Sequence, residues 1–328
     1  MNKIIFSTLL LLFSNVVHAQ LKWQKMDATF SNLPLSVHVY KTIDSLDGKP
    51  NIAWYLEADL KDKHLEFTVD TTLNRRLTPQ QFYEKNGQPL LVVNTTFFSF
   101  ATNQNLNVVI KDGKLVSYNI HSVPGMGKDT LTYSHPFGSA IGVSRRREVD
   151  VAWLYTDSTK KYPYAMQWPM EALRDSVSHH NFAYFDQITS VVTRPHEGRL
   201  SSSFRKWKME AAVGGGPVLL QNGEIKITNE EERKFYGKAI HDKHPRTAMG
   251  YTKDNKLIVL VVEGRNAGVA EGATLGQLAQ IFKDLGCVEA LNLDGGGSSC
   301  MLVNGKETIK PSDKKQRTVP AVFMIKEK

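Results

Sequence analysis

The sequence predicts an α+β fold: a mixed, largely antiparallel sheet with a few packed helices, in one domain. Three observations predict it. Short apolar runs separated by Asp-Gly or Asn-Gly pairs recur along the chain, and each reads as a strand, a two-residue turn and a second strand. Helical signals are few, and the clearest covers residues 274–285. No composition break or linker divides the chain beyond residue 19.

Residues 1–19 stand apart from this fold. Lys3 precedes an apolar run at 4–13, and Val17, His18 and Ala19 put small residues where a signal peptidase cuts. A secretory signal is expected, with cleavage after Ala19 and export to the periplasm or the extracellular space. No later apolar run approaches the ~18 residues of a membrane span, so no stable membrane insertion is expected after the signal is removed.

Residues 36–40 and 51–59 read as opening strands around the turn pair Asp47-Gly48. A short helix is expected at 78–85, with Thr78 as N-cap and Pro79 at the first helical position. Residues 90–93 form a buried strand ended by Asn94, with Phe97 and Phe98 close behind. Hairpins follow at 108–118 around Asp112-Gly113, at 217–227 around Asn222-Gly223, and at 300–309 around Asn304-Gly305. A further hairpin spans 246–265, two strands lie within 139–155, and a last strand covers 319–326. Residues 169–181 suit a short helix, and the polar stretch 194–208 suits a loop. In the helix at 274–285, Thr274 is the N-cap. Leu275, Leu278, Ile281, Phe282 and Leu285 share one face, and Gly286 stops it.

The chain carries a formal charge of +8. A spread positive field suits anionic ligands. No aromatic-basic module of a nucleic-acid reader is present, so nucleic acid is not an expected partner. Local basic clusters occur at 145–147 and 310–317. Two cysteines, Cys287 and Cys300, flank the most glycine-rich turn; in an exported protein they could bridge or could equally be two buried thiols.

That turn organises the site. A strand at 288–293 ends in Asp294, followed by Gly295, Gly296, Gly297, Ser298 and Ser299. Each glycine costs about 0.5–1 kcal/mol of backbone entropy relative to alanine, so three in a row argue for close approach of another group. Successive N–H groups in such a turn can form an anion-binding concavity. A second triplet, Gly214–Gly216, follows another apolar run. No G-x-S-x-G elbow, phosphate loop, G-x-G-x-x-G or H-E-x-x-H motif is present, although His241 and His244 lie close together. What remains is a set of polar residues at strand ends: Asn94, Arg246, Glu263, Arg265 and Asp294. Two carboxylates and an arginine beside a glycine-rich concavity suit hydrolysis at an anionic glycosidic or phosphate centre.

Three phrases together, His244-Pro245-Arg246-Thr247-Ala248, Val262-Glu263-Gly264-Arg265 and Leu293-Asp294-Gly295-Gly296-Gly297-Ser298-Ser299, resemble the phosphodiester glycosidase family. The resemblance is strong from about 211 to 323, and 94–98 adds to it. Residues 20–85 carry none of it. Where the family usually has Asn-Gly-Gly-Phe-Phe, this chain has Asn94-Thr95-Thr96-Phe97-Phe98, which narrows any backbone approach there. The resemblance implies a single catalytic domain over 20–328. Its substrate would be a phosphorylated glycan or sugar-1-phosphodiester, cut at the anomeric bond to give free sugar and a phosphomonoester.

On this reading Asp294 is the nucleophile or base and Glu263 the second carboxylate, with the two roles exchangeable. Arg246 and the N–H groups of Gly295, Gly296 and Gly297 face the phosphate. Asn94 and Ser298 orient sugar or phosphate oxygens, and Thr247 and Arg265 complete the substrate-binding set. No cofactor is expected, though either carboxylate could hold a divalent cation such as calcium. The rival readings are a non-catalytic phosphoglycan-binding module, and a glycosidase or phosphodiesterase of different bond specificity.

Overall fold

A computed structural model of the chain describes residues 20–125, 130–174 and 205–328. The expected signal segment, most of the 169–181 stretch and most of 194–208 lie outside them. At the described edges of those stretches, Leu173–Arg174 and Arg205–Lys206 are short strands rather than helix or loop.

The fold is mainly β, more so than the α+β expectation. Alternating apolar runs closed by X-Gly turns fill most of the described chain, whereas helical periodicity is sustained only over Leu275–Asp284. The described strands form sheets of eight, seven, five and three strands, and every pairing is antiparallel. The hairpins at Asp112-Gly113, Asn222-Gly223 and Asn304-Gly305 all form, with positive φ at both turn residues. That is the backbone a two-residue hairpin turn needs.

The eight-stranded sheet carries Arg246–Thr252 at its centre, paired on one side with Lys256–Val262 and on the other with Cys287–Asn292. The helix Leu275–Asp284 covers one face, burying Leu275, Leu278, Ala279, Ile281 and Phe282. Thr274 and Gln277 close a reciprocal capping box at its start, and Gly286 at φ +75° ends it. The opposite face joins the largest core cluster, which includes Leu56, Val259, Leu291, Phe323 and Trp153.

The five-stranded sheet pairs Leu91–Asn94 with Met301–Val303 and with Ala321–Glu327. A second capped helix, Pro79–Lys85 behind Thr78, packs its buried Phe82 there. The chain leaves the eight-stranded sheet at Asn292 and enters the five-stranded sheet at Met301. The intervening turn is the Asp294 glycine loop. Cys287 and Cys300 are both free and buried, one on each side of that crossing.

Candidate active site

The loop begins with Asp294, whose N–H donates to the Thr95 carbonyl at 2.7 Å. Asn94 ends the neighbouring strand and is fully buried. Its Nδ2 donates to the Asp294 carbonyl at 2.6 Å, and its Oδ1 accepts from Thr247 Oγ1 at 2.9 Å and from the Cys300 N–H at 3.0 Å. One amide therefore ties three chain segments together behind the loop. Asn94 and Thr247, both 0% exposed, position Asp294 from beneath and have no surface facing a ligand. Thr95 and Thr96 are equally buried, so the two β-branched residues lie in the packing under the loop and not on its open side.

The glycines answer two demands. Gly296 sits at φ +60°, and the Arg265 guanidinium lies about 3 Å from where its Cβ would be. At Gly297 a Cβ would fall on the Arg317 guanidinium and the Asp313 carboxylate. The loop does not, however, present three free N–H groups to an anion. It winds into a 3₁₀ turn over Gly296–Ser298, with the Gly296 N–H on the Pro245 carbonyl at 2.8 Å and the Gly295 N–H on the Asp294 carboxylate. Tightening the turn consumes the donors that a wider concavity would have offered. The second triplet is structural: a Cβ on Gly215 would strike the Asn292 carbonyl, and Gly216 N–H bonds that same oxygen at 2.7 Å.

Asp294 keeps an edge toward solvent, but burial dominates its chemistry and pushes its carboxyl up to about 7. Hydrogen bonds from Ser298 and the Gly295 N–H, and the charge of Arg317, pull the other way. Arg317 donates Nη1 to Ser298 Oγ at 3.3 Å while Nε and Nη2 grip Asp313 at 2.9 and 2.6 Å. Nothing in the spacing of the sequence tied Arg317 to Asp294; its one signal was membership of the basic cluster at 310–317.

Glu263 is 4% exposed. Its Oε2 accepts the Lys310 N–H at 3.0 Å, and its Oε1 is buried without a partner among the described residues. The carboxylate thus reaches the same 310–317 segment that supplies Arg317. Arg246 is 3% exposed, with Nε on the Ala273 carbonyl at 2.8 Å and Nη2 on the Asp242 carbonyl at 3.0 Å. Burial, with the charge of Arg265 beside it, lowers its guanidinium to about 10, so it remains a cation at neutral pH. Arg265 is the exposed arginine of the set. Burial and both arginines hold His244 below its usual range, and its Nδ1 is buried without a partner among the described residues. A neutral imidazole at this rim can accept or donate a hydrogen bond. Among the described residues no three His, Cys, Asp or Glu side chains group as a metal site.

A cavity of about 210 Å³ is lined by Phe97, Asn107, Asn119, Gly138, Glu232 and Lys234, with no residue of the Asp294 loop in its wall. The Lys234 ammonium stands 5.4 Å over the Phe97 ring, Phe97 meets Phe235 edge-on at 6.1 Å, and the Arg246 guanidinium lies 5.8 Å from Phe235. An aromatic edge therefore connects the cavity to Arg246. Sequence reasoning missed Lys234 and Glu232, which sit in a polar stretch without a motif.

This geometry joins a carboxyl titrating near neutrality, a second buried carboxylate and several cations. Against known proteins, the model of the phosphodiester glycosidase family matches residues 88–326. The chain belongs to the phosphodiester glycosidase family. Mouse N-acetylglucosamine-1-phosphodiester alpha-N-acetylglucosaminidase is 30% identical over 109 residues, which cover 31% of this chain and 21% of the mouse protein. An uncharacterized, prophage-derived protein of Bacillus subtilis is 40% identical over 83 residues, covering 25% of this chain and 13% of its own. The matched stretches thus span about a fifth or less of these relatives.

Among solved structures, the catalytic domain of zebrafish N-acetylglucosamine-1-phosphodiester alpha-N-acetylglucosaminidase, auto-inhibited by its pro-peptide, aligns with TM-score 0.56 and 20% identity. The alignment covers 94% of this chain and 89% of that one. A hypothetical protein from Synechocystis aligns with TM-score 0.58 and 13% identity, over 94% and 68% of the two chains. At these identities the structural likeness establishes the phosphodiester glycosidase fold alone.

Proposed function

We propose that the chain is an exported hydrolase that cuts the anomeric bond of a sugar-1-phosphodiester, giving free sugar and a phosphomonoester. The observation that carries this reading is Asp294: a carboxyl held near neutrality, on a rigid loop, among arginines. A phosphate leaving group departs as a stable anion, so its protonation matters less than for an ordinary glycoside. The site must instead stabilise charge on the phosphate and supply a base for the attacking water or a carboxylate for the oxocarbenium-like centre.

Arg265, lying over Gly296, and the Gly297 N–H hold the phosphate oxygens. Arg246 adds a fixed positive field from behind, since two of its N–H groups are spent on backbone carbonyls. Asp294 takes the proton of the attacking water, and a general base with a pKa near the working pH is the most effective kind. Ser298, between Asp294 and Arg317, orients that carboxyl. Glu263, its Oε1 buried and unpartnered among the described residues, adds a negative field from within the wall that favours the developing positive charge of the sugar. Three arginines supply the positive charge, so the reading needs no metal ion. The signal-like segment at 1–19 supports export.

A panel of sugar-1-phosphate diesters hydrolysed in oxygen-18 water, with product identification, tests this. Label on the sugar and a released phosphomonoester are expected. Label on the phosphate means P–O cleavage, and binding without release means a recognition module; either outcome ends the proposal.

A further inference from the structure

Beside the loop, on the side of Ser298 and Arg317, stands a feature that the proposed chemistry does not use. Phe100 is 64% exposed, a large apolar ring left on the surface. It is not floppy: residues 99–104 fold into a short hydrogen-bonded loop, with the Ser99 N–H on the Gln104 carbonyl at 2.9 Å and the Asn103 N–H on the Ser99 carbonyl at 2.8 Å. Phe98 supports it from below at 4.8 Å between ring centres. Two guanidinium groups flank it, Arg317 at 5.5 Å and Arg76 at 5.2 Å, and Arg76 also lies 5.0 Å from Phe98.

The two arginines differ in what they have left to offer. Arg317 is committed to Asp313 and Ser298. Arg76 lies over two rings and has no carboxylate partner among the described residues. Its segment is pinned to the same rim by the paired backbone bonds between Leu77 and Val319, at 3.0 and 2.8 Å. A guanidinium held over aromatic rings by cation–π attraction, with no carboxylate on it, keeps N–H groups free for an oxyanion. An exposed aromatic ring beside such an edge recognises a ligand with both a hydrophobic face and a negative charge. The platform is an exposed surface, whereas the Lys234 cavity is a recess of about 210 Å³ with room for a single ring. An open surface suits the variable, extended part of a substrate.

We infer that Phe100 and Arg76 form a specificity subsite for the alcohol component of the phosphodiester, selecting an alcohol that carries an anionic group of its own. This rests on the proposed reaction for the identity of the bond, but it is tested by binding. Titration calorimetry on the full chain compares three diesters of one sugar-1-phosphate, whose alcohol components are methanol, phosphoglycerol and lactate. Both charged alcohols should bind at least tenfold more tightly than the methyl diester, and comparing them tells whether phosphate or carboxylate is preferred.

Arg76→Met should bring the charged-to-methyl ratio within twofold of unity. Arg76→Lys, which keeps charge without the flat fork, should retain part of the ratio, separating lost charge from lost packing. Phe100→Ala should weaken all three. Equal affinities in the wild type, a ratio surviving Arg76→Met, or no binding of any diester overturns the subsite. Free sugar is assayed alongside. Selective binding without release sinks the hydrolase reading and leaves the subsite standing, whereas release without selectivity does the reverse.

Discussion

Replacing Asp294 by asparagine removes one ionisation and little else, because the side chains have the same size. The carboxyl titrates near 3.8 in the unfolded chain and at about 7 in the folded one. Between those values the folded state binds the proton and the unfolded state does not, so wild-type stability is fullest at low pH and falls as pH rises toward 7. The slope is about 1.4 kcal/mol per pH unit, or roughly 2–3 kcal/mol from pH 5 to pH 8.5, reduced by whatever screening solvent provides at the open edge of the residue.

Asp294→Asn carries no such penalty, so its stability advantage over the wild type should grow by about 1.5–3 kcal/mol between pH 5 and pH 8.5. Glu289, another buried carboxyl pushed up to about 7, is common to both proteins and cancels in the difference. Urea unfolding of both proteins at the two pH values reads it directly. Turnover of a sugar-1-phosphodiester should meanwhile fall by about 10²–10⁴-fold. A stability difference that does not change with pH, or near-normal turnover, refutes the assignment.

Arg317→Met removes a charge that holds Asp294 down; the inflection of the pH–rate profile should move up, and a static inflection contradicts the coupling. Gly297→Ala drives a methyl onto the Arg317–Asp313 pair; activity should be lost while stability falls by only about 1–3 kcal/mol, and full activity in the variant rules out the close approach. Asn94→Leu orphans the Asp294 carbonyl, the Thr247 hydroxyl and the Cys300 N–H; denaturant unfolding should show a loss of about 2–4 kcal/mol, and a neutral result means the clamp is not formed. Burial raises both thiols at Cys287 and Cys300; an aromatic disulfide reagent should titrate neither until the protein is denatured, and reaction in the native state shows that one is accessible.

Much of this architecture was legible in the sequence because its local chemistry is strong. Thr274 with Gln277, and Thr78 with Pro79, mark helix starts through capping that the backbone then forms. The Asn-Gly and Asp-Gly pairs fix hairpins through φ. The sequence also singled out Asp294, Glu263, Arg246 and Arg265, because polar groups at strand ends are conspicuous against apolar runs. It could not say which way each points. Arg246 turns to backbone carbonyls and Asn94 becomes a buried clamp, because those choices are made by distant partners such as Ala273 and Thr247. Arg317, Arg76 and Lys234 were hidden for the same reason. A lone cation acquires meaning only from what folds beside it.

The loop that bears Asp294 is also the bridge by which the chain passes from one sheet to the other, and Asn94 rivets it from the far bank. Reactivity and architecture are therefore not separable here. Slippage of one sheet against the other carries the carboxyl with it, so this protein should lose its chemistry to a small shear long before it loses its shape. Adaptation to new substrates has room on the rim, at segments such as 76 and 99–104, which reach the bridge through Arg317 without carrying it.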